Sequence, residues 1–207
     1  MNRNISILLV FLCMLGCSSS KITNRWKPET IPIKNYNKLM VVGILVGDQN
    51  DLREKMENHL VGDLKERGYP AISSLKEYGP DSFVNLKEED AYNKLEKSGV
   101  DAVVTIVLLD KKREKFYVPG RIYYSPYSDY QNHLWNYYNT INSRIYKKGY
   151  YQVNTKYFWE SNFYDLASKK WLYSVQTESF EPNSVELLAH QYGKLIVKDM
   201  VTSGVIK

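Results

Sequence analysis

Two stretches constrain the fold more than any others. Lys38–Val46 (KLMVVGILV) and Val100–Leu109 (VDAVVTIVLL) are nearly unbroken apolar runs of strand length. Such runs belong to strands buried on both faces, as in a parallel sheet covered by helices. What lies between them fits. Leu52, Met56, Leu60 and Leu64 recur every fourth residue, with Val61 beside them, and form the buried stripe of a first helix. Asp51 and Glu54 read as its capping box and Gly68 as its C-terminal stop, after Lys65 and Arg67 in the last turn. Tyr69–Ile72 reads as a short second strand. Asn85 and Glu88 read as a second capping box, Ala91 and Leu95 as the inward face of a second helix, and Gly99 as its stop. Strand–helix–strand–helix–strand implies parallel pairing with right-handed crossovers.

The C-terminal half changes character. From Tyr150 to Tyr164 the chain alternates, with Tyr151, Val153, Thr155, Tyr157, Trp159 and Phe163 on one side and Gln152, Asn154, Lys156, Glu160 and Asn162 on the other. This is the pattern of a half-exposed antiparallel strand. Asp165–Lys169 is the turn, Trp171–Phe180 the returning strand, and Asn183 with Glu186 a third capping box. Leu188, Tyr192, Leu195 and Ile196 line a closing helix to about Thr202. The expected fold class is α/β (α+β): a mixed five-stranded sheet, elements in the order β-α-β-α-β-(long insertion)-β-β-α, ending in an antiparallel hairpin and a helix.

The N-terminus carries a different signal. Arg3 precedes an apolar run from Ile5 to Leu15, long enough for a secretory leader and too short to span a bilayer. It ends in Met14-Leu15-Gly16-Cys17 before Ser18-Ser19-Ser20. This looks like a bacterial lipobox, which implies cleavage before Cys17 and acylation of Cys17, palmitate included. The expected layout is a signal peptide over 1–16, a lipid-anchored tether over 17–37 and one periplasmic α/β domain over 38–207. Trp26, within the tether, either docks on the domain or sits at the membrane interface. Neither Ser18 nor Lys21, close after Cys17, is acidic, so the expected site is the outer membrane, facing the periplasm. Cys13 leaves with the leader, so the mature chain has neither a free thiol nor a disulfide.

Residues 111–149 are read as a long insertion without regular structure except a short helix around 129–138. Ten of the 18 tyrosines fall between Tyr117 and Tyr151. Long loops of this kind in compact domains are usually functional, and aromatics with a polar tip supply rigid contact area. Tyr117, Tyr123, Tyr124, Tyr127, Tyr130, Trp135, Tyr137 and Tyr138 are therefore the candidate contacts for a protein partner or an envelope glycan. The alternative is a loop covering the core edge.

Catalytic signals are absent. His59, His133 and His190 share no metal-ligand spacing, and no cysteine can join them, so neither metal nor cofactor is expected. Gly43 and Gly47 flank a strand end but lack the residues of a phosphate loop. No G-x-S-x-G occurs, and Glu88-Glu89-Asp90 fits a helix start. The mature charge of 27 basic against 23 acidic residues is mild and interspersed, which argues against nucleic acid.

Three stretches carry a resemblance: Gly68-Tyr69 closing the first helix, Ser98-Gly99-Val100-Asp101-Ala102 entering a strand, and the hairpin Phe163-Tyr164-Asp165-Leu166-Ala167-Ser168-Lys169-Lys170-Trp171. They are similar to those of the curli secretion channel (CsgG-like) family and of periplasmic domains laid out like the N-terminal domain of TolB. The resemblance implies a non-enzymatic, lipid-anchored binding or assembly module of the cell envelope, partnered by an envelope protein or by itself. The alternatives are a subunit of an oligomeric outer-membrane secretion apparatus and an enzyme acting on an envelope glycan. A channel would need pairs of membrane-crossing strands, which Pro119, Pro126 and the charges of 111–149 oppose.

Overall fold

In the computed structural model, residues 19–31, 34–47, 49–81, 83–118, 149–180, 182 and 184–207 are described. They form two compact units, 1–111 with 156–207, and 112–155. The elements are β1 (Ser20–Trp26), β2 (Leu39–Ile44), α1 (Asn50–Glu66), β3 (Ala71–Ser73), α2 (Ser74–Tyr78), α3 (Glu88–Lys97), β4 (Ala102–Val118), β5 (Tyr150–Asp165), β6 (Lys170–Phe180) and α4 (Val185–Thr202).

One mixed sheet has the order β1-β6-β5-β4-β2-β3. The two apolar runs lie side by side: β2 pairs in parallel with β4, Leu39 opposite Ala102, and with β3 on its other side. Their parallel pairing follows from burial on both faces. Leu39, Val41, Ala102, Val104 and Ile106 pack with the α1 stripe and with Leu188, Tyr192, Ile196 and Met200 of α4. Met40 and Val103 point the other way, against Leu95 of α3. The expected alternation of β5 holds from Tyr157 onward, with Tyr157, Trp159 and Phe163 in the main core. Leu195 is only partly buried, because Ala189, Gly193 and Val197 take more of the α4 contact.

The sheet has six strands, not five. The sixth, β1, lies in the stretch expected to be a poorly ordered tether, and runs antiparallel to β6 with Ser20 opposite Ser179 and Trp26 opposite Ser174. Its polar sequence hides it: only alternate residues meet the core, with Ile22 packed on the main cluster and Arg25 tied to α4. β4 likewise continues through the charged run 111–118, where no apolar pattern marks it.

Helix starts differ from expectation, helix ends do not. Gln49, not Asp51, is the N-cap of α1 and makes no side-chain capping bond; Asp51 sits in the first turn. Lys87 precedes α3, and Asn85 takes a left-handed conformation (φ 59°) instead of capping. Ser184 caps α4 by accepting from the Leu187 amide; Asn183 lies outside the described residues. Each long helix ends in the same way. The amides of Gly68, Gly99 and Gly204 donate to Lys65, Glu96 and Val201, and those of Tyr69, Val100 and Val205 to Leu64, Leu95 and Met200. This is the Schellman closure, and it needs the left-handed glycine.

Candidate functional site

Most of the sequence-based candidates, Cys17, Tyr123, Tyr124, Tyr127, Tyr130, Trp135, Tyr137 and Tyr138, lie outside the described residues, as does His133. Tyr117 is described and belongs to the second unit. Its hydroxyl accepts from the Gly149 amide at 3.1 Å, its ring meets Tyr151 edge-on at 5.5 Å, and it is half exposed. Two neighbouring tyrosines thus clip the ends of that unit's strands together.

The first unit holds a surface the tyrosine count does not reveal. Helices α1 and α4 cover one face of the sheet. On the other face, α3 covers β2 and β4, while among the described residues no helix packs over β1, β6 and β5. There Trp26, Trp171 and Tyr164 form a shelf. The Trp26 and Trp171 rings lie 4.8 Å apart, and Trp171 and Tyr164 stack at 6.4 Å with 16° between planes. Trp26 and Trp171 remain 47% and 43% exposed, so their contact with each other is only half of what their surfaces can make. The Trp171 indole N–H donates to the Tyr173 carbonyl at 2.7 Å, which fixes the ring and leaves its face outward. Burial, then the nearby Glu160 carboxylate, raises the Tyr164 hydroxyl above its ordinary value, so it stays protonated and can donate.

Beside the shelf runs a polar strip. Glu160 accepts from Asn162 and from Gln176, both at 3.0 Å. Below it, the Asp165 turn sets the hairpin. Desolvation pushes the Asp165 carboxyl up, but the Lys34 ammonium at 2.5 Å and the Ser168 hydroxyl and amide outweigh it and hold the group below the ordinary carboxylate range. In the resembling hairpin motif, therefore, Asp165 and Ser168 make the turn, and Trp171 supplies the exposed ring. Trp26 docks as the first of the two expectations had it, but on Trp171 rather than into the core.

A second feature lies at the carboxyl end of β2, where open α/β sheets usually bind ligands. A cleft of about 460 Å³ is lined by Gly43, Ile44, Asn50, Arg53, Asp81 and Val84 among others. Behind it sits Glu57, wholly buried. One of its oxygens accepts from the Gly43 amide (2.8 Å), Arg53 Nε (2.9 Å) and Ser74 Oγ (3.1 Å). The other accepts from Ser73 Oγ (2.5 Å) and the Leu75 amide (3.0 Å). Arg53 also donates to the Pro80 carbonyl at 2.8 Å. A side chain on Gly43 would strike Arg53 Cγ at 2.7 Å, which is why glycine stands there. Every bonding site of the carboxylate is engaged by protein, so it welds β2, α1 and α2 rather than serving as a free base. The sequence signal was Arg53 and Glu57 at helical spacing inside an apolar stripe.

Among the described residues no group of three or more His, Cys, Asp or Glu is placed to hold a metal. His59 and His190 come together, rings 5.7 Å apart, with His59 Nε2 bonded to Glu186 at 2.9 Å. Among those residues no helix is long and apolar enough to cross a membrane.

No family model matches the chain, and no curated protein does. Solved structures do resemble it. The PelC dodecamer from Paraburkholderia phytofirmans superposes with a TM-score of 0.46 at 8% identity, over 83% of this chain and 90% of that one. Lipoprotein GNA1162 from Neisseria meningitidis gives 0.45 at 14% identity, over 80% of this chain and 99% of that one. Likenesses at this level say nothing of shared chemistry.

Proposed function

We propose that the protein is a lipid-anchored, non-enzymatic binding module of the bacterial cell envelope, held to the outer membrane through acylated Cys17 and facing the periplasm. The observation that carries this reading is the run Met14-Leu15-Gly16-Cys17-Ser18 closing an apolar leader. An acylated cysteine with several chains is a durable anchor, since one chain alone binds only marginally. The geometry supports the binding role. Trp26, Trp171 and Tyr164 offer rigid, half-exposed ring faces beside hydrogen-bonding Glu160, Gln176 and Asn162, the mixture found at the centres of protein interfaces. The fully engaged Glu57 carboxylate argues against its acting as a base in the cleft at the carboxyl end of β2.

The test is to extract the full chain in mild detergent from its own membrane, measure its intact mass, and identify what accompanies it. Expected are a mature chain beginning at acylated Cys17 and a stoichiometric envelope protein that is lost from the Trp171→Ser variant. A large symmetric homo-oligomer would move the reading to a subunit of an assembly apparatus. An unmodified Cys17 would overturn the anchor.

A further inference from the structure

Two carboxylates of the β5–β6 hairpin hold a cation. Glu178 of β6 pairs with Lys21 at 3.2 Å, and Asp165 at the end of β5 pairs with Lys34. Glu160, on β5 between them, does not. It belongs to none of the ion pairs formed among the described residues. Its partners are neutral amides: Asn162 Nδ2 donates to one oxygen and Gln176 Nε2 to the other, both at 3.0 Å. These bonds hold the carboxylate in place without cancelling its charge. They also leave open about two of the roughly four acceptor sites that a carboxylate offers. The charge reaches the shelf, since Glu160 is the second cause, after burial, that raises the Tyr164 hydroxyl.

The strand register sets what stands around that charge. Glu160 lies opposite Gln176, and Gln176 opposite Asn24. One row along, Asn162 lies opposite Ser174, and Ser174 opposite Trp26. Directly opposed residues share a face of the sheet, so Glu160 and Asn162 share theirs with Trp26. Asn162 is buried, and its Oδ1 accepts no hydrogen bond among the described residues. Trp171 is the middle ring of the shelf, 4.8 Å from Trp26 and 6.4 Å from Tyr164. The face thus sets open acceptors beside outward ring faces. The lysines around it are engaged elsewhere or stand apart from Glu160. Lys34 is on Asp165, Lys169 Nζ lies 4.4 Å from the Tyr92 ring centre, and Lys156 Nζ lies 5.7 Å from that of Phe180. Lys170 is exposed, at the position opposite Asp165. All of these residues belong to the first unit.

Acceptors and ring faces together select a flat cation rich in donors. A guanidinium carries five N–H groups in one plane, is weakly hydrated, grips a carboxylate with two bonds at once, and lies on aromatic faces. An ammonium is compact and strongly hydrated, and cannot form the fork. An apolar anchor would cover Glu160 and leave its charge desolvated and unpaired. An acidic group would be repelled by it. Tryptophan and arginine are also the residues that most often carry the energy of protein interfaces.

We propose that the shelf and the polar strip form one recognition site for an arginine side chain of the partner protein, with the guanidinium donating to Glu160 and the side chain lying along the Tyr164 and Trp171 rings. This rests on the reading of the protein as a binding module, and it names the group that the partner must present. The test uses the full chain in mild detergent, isotope-labelled at the indole nitrogens and followed by nuclear magnetic resonance. It is titrated to millimolar levels with a short glycine peptide carrying two arginines, and with the same peptide carrying citrulline, which keeps the shape and loses the charge. The Trp171 indole signal is identified by its loss from Trp171→Ser. Expected are a saturable shift of that signal with arginine and none with citrulline. Glu160→Gln is expected to weaken the arginine response about tenfold or more. Glu178→Gln, which alters the carboxylate paired with Lys21, should leave it unchanged. An equal response to both peptides, no response to either, or an equal response of wild type and Glu160→Gln overturns the inference. A shift with a neutral N-acetylglucosamine trisaccharide and none with arginine would assign the shelf to a glycan, and overturns it too. The contrast between arginine and citrulline is read on the unaltered chain, so it decides whether or not Glu160→Gln folds. A companion protein lost from Trp171→Ser, with no response to arginine, overturns this inference and leaves the binding module standing. A companion retained by Trp171→Ser overturns the shelf as the partner's site, and the inference with it.

Discussion

The two ends of the first unit are built differently. At the far end the chain closes on itself. Three helices finish in glycine-dependent closures, and Asp101 accepts from the Asn37 amide and side chain and from the Lys38 amide, at 2.7, 3.1 and 3.1 Å. Asp165 gathers Lys34 and Ser168. What this end leaves outward is stacked aromatic faces. At the opposite end, where β2 and β6 finish, α1 and α3 begin without a side-chain cap, and Ile44, Val46, Leu109 and Phe180 stand exposed. The most heavily bonded carboxylate described there is Glu57, and it is buried. A closed end can present rigid rings to a partner. The other end leaves aliphatic side chains exposed among the described residues.

The largest effect expected from breaking this contrast is at Glu57. Glu57→Ala takes the carboxylate from the largely buried Arg53 and the acceptor from two backbone amides, and should cost about 3–5 kcal/mol, read as a drop in the urea midpoint. Hydrogen exchange should rise at Gly43 and Leu75 but not around Asp101; a uniform rise would mean that the ends are not separate. Next comes Asp199→Ala. Because Arg25 is nearly half exposed, its share is screened, and the loss should be about 2 kcal/mol. It should appear as fast exchange confined to β1 and its β6 partners.

Acid should open the far end first. Asp165 is held below its ordinary value, so the stability it contributes is full above the unfolded pKa, about 3.9, and is lost as pH falls through the lower folded value. Wild type should therefore exceed Asp165→Asn in stability at pH 6, with the gap closing toward pH 2. A gap that persists in acid would mean that the asparagine acts through packing. The smallest effect is expected from Trp26→Ala, about 0.5–1.5 kcal/mol from the lost ring contact, with a change in tryptophan fluorescence. A larger loss would make the shelf part of the core.

The parallel half was legible because burial on both faces leaves an unbroken apolar run, as in Leu39–Ile44 and Ala102–Leu108. The helix ends were legible because only glycine fits them cheaply. The helix starts were not, since Asp51 and Asn85 look like caps by type but are displaced from the cap position. Ser20–Trp26 escaped because an edge strand needs only one inward residue in two, and its strongest tie, Arg25 to Asp199, joins residues far apart in sequence. The resembling stretches Ser98–Ala102 and Asp165–Trp171 are mostly turn chemistry, which explains why they mark a layout better than an activity. The shelf was partly visible, as Trp26 and Trp171, but nothing in the sequence pairs them.

The most direct test of the contrast between the two ends is photo-crosslinking in intact cells, with benzoylphenylalanine replacing Val46 in one variant and Trp171 in another. The expected result is one discrete protein adduct from position 171 and none from position 46. A protein adduct from position 46 with none from position 171 would contradict the account.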